Sequence, residues 1–120
     1  MSKWIPTYWG RHRTLTNQPE YCLKQLWMRA GCQSSLEYHV RKRETYIVEE
    51  GELAVGTRHG RGENGSIRLT AGDTWHIAPG TMHMRIAVTD VLITEVSTHD
   101  DPADVFIVED GRSYKHPYTE

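Results

Sequence analysis

The strongest constraint on this chain is a negative one: in no window do its apolar residues recur every 3.6 residues. Short β-rich runs recur instead, over residues 22–30, 35–40, 45–49, 52–56, 67–69, 74–77, 82–88 and 91–96. Turn signals separate them at Gly31, Glu50-Gly51, residues 58–65, Ala71-Gly72, Pro79-Gly80 and Thr89-Asp90. Regularly spaced short strands predict an all-β sandwich or barrel without a long helix. Gly51, Gly72 and Gly80 are read as turn residues needing positive φ or close backbone approach, and Pro79 fixes the turn before the run at residue 82. The glycine-rich stretch 59–65 lacks the Lys-Ser/Thr and following helix of a phosphate loop, so it is read as a flexible hairpin tip. There is no repeat and no linker, and 120 residues suffice for one domain with a core that needs no disulfide.

Alternation assigns faces, because residues two apart on a strand point the same way. Leu36, Tyr38 and Val40 share one face of their run, and Glu37, His39 and Arg41 share the other. Met82, Met84, Ile86 and Val88 oppose His83, Arg85 and Ala87 in the same manner. Two strands thus each carry an apolar face and a face bearing His and Arg. In a sandwich the second face is solvated; in a small barrel it lines a pocket. Leu26, Met28, Leu36, Tyr38, Ile47, Ile86 and Ile93 are core candidates. The tail beyond Asp110 either drapes over the surface or frays.

Charge narrows the partners. Fourteen Lys and Arg against sixteen Asp and Glu give a formal charge of −2, which argues against a nucleic-acid binder or a polybasic membrane anchor. No apolar run approaches the ~18–20 residues of a membrane span, and the start, Met1-Ser2-Lys3-Trp4-Ile5-Pro6, has no signal-peptide core. Cys22 and Cys32 make no disulfide framework, so a cytoplasmic home is expected.

Two segments carry a resemblance. Residues 31–51 include Glu37-Tyr38-His39 and then Glu44; residues 72–83 end in Pro79-Gly80-Thr81-Met82-His83. Together they resemble the two motifs of the cupin superfamily of jelly-roll barrels (double-stranded β-helices). The resemblance implies a single cupin domain over 1–120, with the barrel at about 21–112 and an N-terminal arm at 1–20. It implies that Glu37, His39, Glu44 and His83 hold one divalent ion. The spacing makes physical sense: Glu37 and His39 point the same way, Glu44 enters from the next strand, and His83 arrives from a remote one. Two imidazoles and two carboxylates suit Zn, Mn, Fe, Ni or Co. Glu37 has a second possibility, which is to pair with Arg41 instead.

Residues 34–48 are similar to the cupin segment of type II mannose-6-phosphate isomerases, which carry Ser-Leu-Gln-x-His-x-His-Arg-x-Glu there. This chain has Glu37 in place of the Gln and Arg41 in place of the second His. Thr94-Glu95-Val96 and the closing Glu109-Asp110-Gly111-Arg112 resemble the same family. This closer resemblance implies a metal-dependent, isomerase-like enzyme acting on a small anionic sugar. A Fe or Mn dioxygenase and a non-catalytic sugar- or effector-binding cupin are the alternatives.

Arg41 and Arg85 follow His39 and His83 by two residues, so both are expected at the barrel mouth reading an anionic sugar or hydroxy acid; the alternatives are a solvent-facing Arg paired with a surface acid, or a fold back onto Glu37 and Glu95. Tyr46 shares parity with Glu44 and either flanks the metal or fills the core. His76 is read as structural or surface, and His59, His99 and His116 as bystanders. Trp4, Tyr8 and Trp9 either reach a second subunit, as in cupin homodimers, or pack outside their own barrel.

Overall fold

The computed structural model describes residues 2–118. Among them the chain forms eleven strands and no helix: β1 (Ile5–Pro6), β2 (Gly10–Asn17), β3 (Cys22–Met28), β4 (Leu36–Tyr38), β5 (Glu44–Glu50), β6 (Glu52–His59), β7 (Glu63–Thr70), β8 (Thr74–Ile77), β9 (Met82–Ala87), β10 (Val91–Ser97) and β11 (Phe106–Glu109). No helix is therefore long and apolar enough to cross a membrane. Two antiparallel sheets, in the orders β1-β2-β3-β10-β5-β8 and β11-β4-β9-β6-β7, face each other. Turns follow the punctuation of the sequence. Gly51, Gly72 and Gly80 have φ of 88°, 93° and 84°, and a Cβ on Gly51 would stand 2.1 Å from the Asp90 carbonyl oxygen. The turn predicted over 58–65 is shorter than expected. β6 runs on to His59 and β7 begins at Glu63, because the positive-φ residues are Gly60 and Gly62 alone in that stretch.

Strand parity places the core between the sheets. Tyr46 and Val48 of β5, Val91 and Ile93 of β10, and Leu26 and Met28 of β3 point inward from the first sheet. Leu53, Val55 and Ala87 meet them from the second. Trp9 joins this core at 7% exposure rather than lying outside the barrel, because β2 pairs residue by residue with β3 of the same chain.

In the second sheet the central strands β6 and β9 are buried on both faces. Its inward face carries His83 and Arg85; its outward face carries Leu36, Ala54, Met84 and Ile86, a separate apolar cluster that Tyr114 and Tyr118 cover. Leu36 and Ile86 are therefore buried, but beneath the C-terminal tail and not between the sheets. Tyr38 stacks on Phe106 with ring centroids 5.2 Å apart, and Ile47 is only half-buried on the outer side of β5, so neither joins the inter-sheet core. The tail drapes. Gln33 donates to the Tyr114 carbonyl, and Arg58 donates to the Tyr114 hydroxyl at 2.9 Å. His116, expected to be a bystander, is 5% exposed, with its Nε2 3.1 Å from the Thr57 carbonyl oxygen.

Candidate metal centre and ligand cavity

Register brings the candidate ligands to one end of the barrel. Glu37 on β4 stands directly opposite His83 on β9, and Glu44 opens β5 on the facing sheet. β4 stops at Tyr38, and the chain turns away there because Asp104 seizes it. The Asp104 carboxylate accepts backbone N–H groups of Val40 (2.8 Å), Arg41 (3.0 Å) and Lys42 (3.1 Å).

Both imidazoles are oriented by backbone carbonyls. His39 Nδ1 donates to Asp104 O at 2.7 Å, and His83 Nδ1 donates to Thr81 O at 2.8 Å. A carbonyl only accepts, so each Nδ1 carries the hydrogen and each Nε2 is left to offer a lone pair. Those nitrogens converge on Glu44 Oε2, at 3.0 Å from His39 and 3.4 Å from His83. Glu44 Oε2 and His83 Nε2 are buried and have no hydrogen-bond partner. Glu37, His39 and His83 each bring a donor atom within 4.8 Å of the others. Buried lone pairs facing one another repel unless a cation lies among them, so the donor set fits a divalent ion. A proton is the lesser substitute. Burial alone would lower His39, but the Glu44 carboxylate beside it and the carbonyl of Asp104 raise it above its ordinary value. Glu44 moves oppositely: burial would raise its carboxyl, and the two histidines hold it well below the usual range.

A cavity of about 220 Å³ opens beside these donors, lined by Glu37, His39, Lys42, Arg85, Glu95 and His12 among others. Arg85 is 8% exposed. Its Nη1 donates to the Tyr46 hydroxyl at 3.1 Å, and its guanidinium lies 5.3 Å from the Trp9 ring centre and 5.8 Å from that of Tyr46. Its Nε has no partner, and among the described residues no carboxylate pairs with it. It does not fold back onto Glu37 or Glu95. Tyr46 is fully buried; it fills the core and steadies Arg85, while burial and then the charge of Glu44 push its own phenol up.

Arg41 takes the solvent-facing alternative and does not reach the mouth. Its side chain is 69% exposed and pairs with Asp101 at 3.0 Å, outside the cavity. The alternation that aimed it inward ends with β4 at Tyr38, and the Asp104 turn rotates the next residues. Lys42 is buried in its place, donating to Glu95 Oε2 (3.0 Å) and Asp100 Oδ1 (2.9 Å). It is 5% exposed. Lys24, Asp100 and His12 also line the cavity and were not anticipated. A signal for Lys24 was there: Cys22, Lys24, Leu26 and Met28 form an inward row with one charge in it, as Val91, Ile93 and Glu95 do on β10. His76 is exposed and bonded to Arg43 and Thr45 on the outer side. His99 bonds to the Gln18 carbonyl, and His59 to the Thr57 hydroxyl, both away from the centre.

Solved structures match over most of the chain. CapF, a capsular polysaccharide assembling protein from Staphylococcus aureus, superposes with a TM-score of 0.81 at 17% identity, over 91% of this chain and 32% of its own. KdgF from Halomonas sp. gives 0.73 at 19% identity, over 84% of this chain and 89% of its own. Oxalate decarboxylase from Bacillus subtilis gives 0.76 at 15% identity, over 89% and 30%. The fold is the cupin fold. The chain spans about a third of the length of CapF and of oxalate decarboxylase, and most of the length of KdgF. No family model and no curated protein sequence matches it. The convergent donors Glu37 and His39 also line the cavity that Arg85 lines.

Proposed function

We propose that this cupin binds one divalent ion through His39, His83, Glu44 and Glu37, and that the adjoining cavity takes a small anionic sugar or hydroxy acid. The observation that carries the ligand's charge is Arg85. A guanidinium this buried, with an unpartnered Nε and no carboxylate against it, is costly unless an anion arrives to meet it. The cavity, at about 220 Å³, lies below the ~300 Å³ lower end of ordinary ligand pockets, which favours a molecule of monosaccharide size or less. A divalent ion in this set supplies Lewis-acid polarisation of ligand oxygens. Arg85 and its Tyr46 brace orient the anionic end, and the apolar wall of Trp9 and Leu26 limits water. Isomerisation of a mannose-6-phosphate-like sugar phosphate is one reaction such a site serves. The outward Arg41 leaves Arg85 to read the charge.

The test has two parts. Protein purified without a histidine tag or chelators should carry about one transition-metal ion per chain by mass spectrometry. His39→Ala and His83→Ala should lose it, and His76→Ala should keep it. Equal loss in all three variants would mean the ligand set is wrong. Mannose 6-phosphate, mannose and glucuronate are then titrated against wild type and Arg85→Gln. A charge-assisted contact of about 1.5–3 kcal/mol predicts a roughly 10- to 150-fold weakening for the two anions alone. If the anions keep their advantage in Arg85→Gln, that arginine does not read the charge. Oxygen uptake on ligand addition would redirect the reading to a dioxygenase.

A further inference from the structure

The cavity holds a second set of charges that the metal donors do not use. Lys24 Nζ lies 2.7 Å from Asp100 Oδ2, and Lys42 bridges Asp100 Oδ1 and Glu95 Oε2 at 2.9 and 3.0 Å. Glu95 ends this chain of ion pairs. It is 4% exposed and lines the cavity. Its Oε2 accepts from Lys42, and among the described residues no group donates to its Oε1.

Register fixes where Glu95 stands. On β10 it lies across from Tyr46, and Ser97 lies across from Glu44. Glu95 is thus the diagonal neighbour of Glu44 on the same inward face, about 7–8 Å away along the backbone. Glu44 Oε2 reaches the His39 and His83 imidazoles at 3.0 and 3.4 Å, whereas among the described residues Glu95 pairs with neither and lies outside the cluster of Glu37, His39 and His83. A brace between strands does not account for it, since apolar residues of similar size hold strands together as well as a buried ion pair does.

We propose that Glu95 is the proton-transfer residue of this site, taking a proton from the carbon next to a carbonyl of an anionic ligand seated against Arg85. The inference rests on the metal-and-anion reading above. In the step, the ligand C–H bond breaks, an O–H bond forms at Glu95 Oε1, and the electron pair moves onto the ligand's carbonyl oxygen. Reversal after exchange with water returns a solvent hydrogen to the carbon. No electrons leave the ligand and no co-reactant enters. Lys42 is the positioning residue, holding Oε2 and leaving Oε1 without a donor among the described residues, on a residue that lines the cavity. Burial, then the charge of Glu44, raises the Glu95 carboxyl above its ordinary value, and Lys42 limits the rise. A carboxylate of raised basicity is the better proton acceptor near neutral pH.

The experiment is proton NMR in deuterium oxide with metal-loaded protein and four probes: mannose 6-phosphate, fructose 6-phosphate, glucuronate and pyruvate. Wild type should exchange the hydrogen next to the carbonyl of at least one. Glu95→Gln should slow that exchange at least 100-fold, with metal content and anion affinity unchanged; Glu95→Asp, which keeps a carboxylate, should recover part of the rate. Exchange at the wild-type rate in Glu95→Gln overturns the proposal, as does metal-loaded, anion-binding wild type that exchanges none of the four probes. A wild type that holds no metal is seen first, in the metal analysis. That result sinks the metal reading, and this inference with it.

Discussion

Lys42 and Arg41 are adjacent cations with opposite fates, and the difference is measurable. Lys42 is 5% exposed and serves the buried carboxylate of Glu95 and the half-buried one of Asp100. Lys42→Met keeps most of the volume but strips Glu95 of its counter-charge and leaves Asp100 with Lys24 alone, and removing one partner of a buried pair costs about 3–5 kcal/mol. Arg41 meets Asp101 in solvent, and exposed pairs contribute under about 1 kcal/mol, so Arg41→Gln should leave the urea midpoint nearly unchanged. Comparable midpoint shifts for the two would overturn the assignment. The same pair marks the limit of parity reasoning. Alternation read Glu37 and His83 as sharing an inward direction, and the strands pair them opposite one another. It failed at Arg41 because nothing local announces that a carboxylate 63 residues away ends the strand.

At the scale of elements, the runs with strict alternation were legible: 74–77 matches β8, and 91–96 falls one residue short of β10. β2 and β11 were not read as strands. β2 alternates polar residues around His12 and Leu15, and β11 is an edge strand whose Phe106, Ile107 and Val108 are all exposed. The tail was illegible for another reason: its burial depends on a gap in the sheet beneath it. Gly56 on β6 supplies that gap, and a Cβ there would stand 2.7–2.9 Å from three atoms of the His116 ring. Gly56→Ala should therefore unseat the tail and destabilise the protein by about 1–3 kcal/mol. In a His116→Ala background the clash is gone. There Gly56→Ala should be neutral or stabilising by about 0.5 kcal/mol, the usual gain for replacing a strand glycine. A double-mutant cycle from chemical denaturation reads the coupling. Additive effects would show that His116 does not sit over Gly56 in solution.

The whole molecule carries its ion-pair chain at the barrel mouth, where β3, β5 and β10 meet the segment after Ser97, and this sets its response to acid. Burial would raise Asp100, but hydrogen bonds from Lys24 and Lys42 override it and hold the carboxyl down to about 2, against 3.8 for a free aspartate. A carboxyl lowered by folding binds its proton more readily in the unfolded chain. Its contribution is therefore complete above about pH 4 and is lost as the pH falls towards 2. Partial exposure keeps that contribution to about 2 kcal/mol at most. Glu44, also lowered, has the same sign. Glu95 has the opposite one: its raised carboxyl makes it a burden at neutral pH that is relieved on acidification, before Asp100 begins to titrate. Stability should accordingly hold or rise slightly from neutral pH towards about 4.5 and then fall steeply to pH 2. Asp100→Asn mimics the protonated side chain, so the wild-type and variant curves should be separated at pH 7 and converge by pH 2. Urea denaturation at half-unit pH steps measures both. A gap that persists unchanged at pH 2 would show that the Asp100 carboxylate does not brace the mouth through its charge.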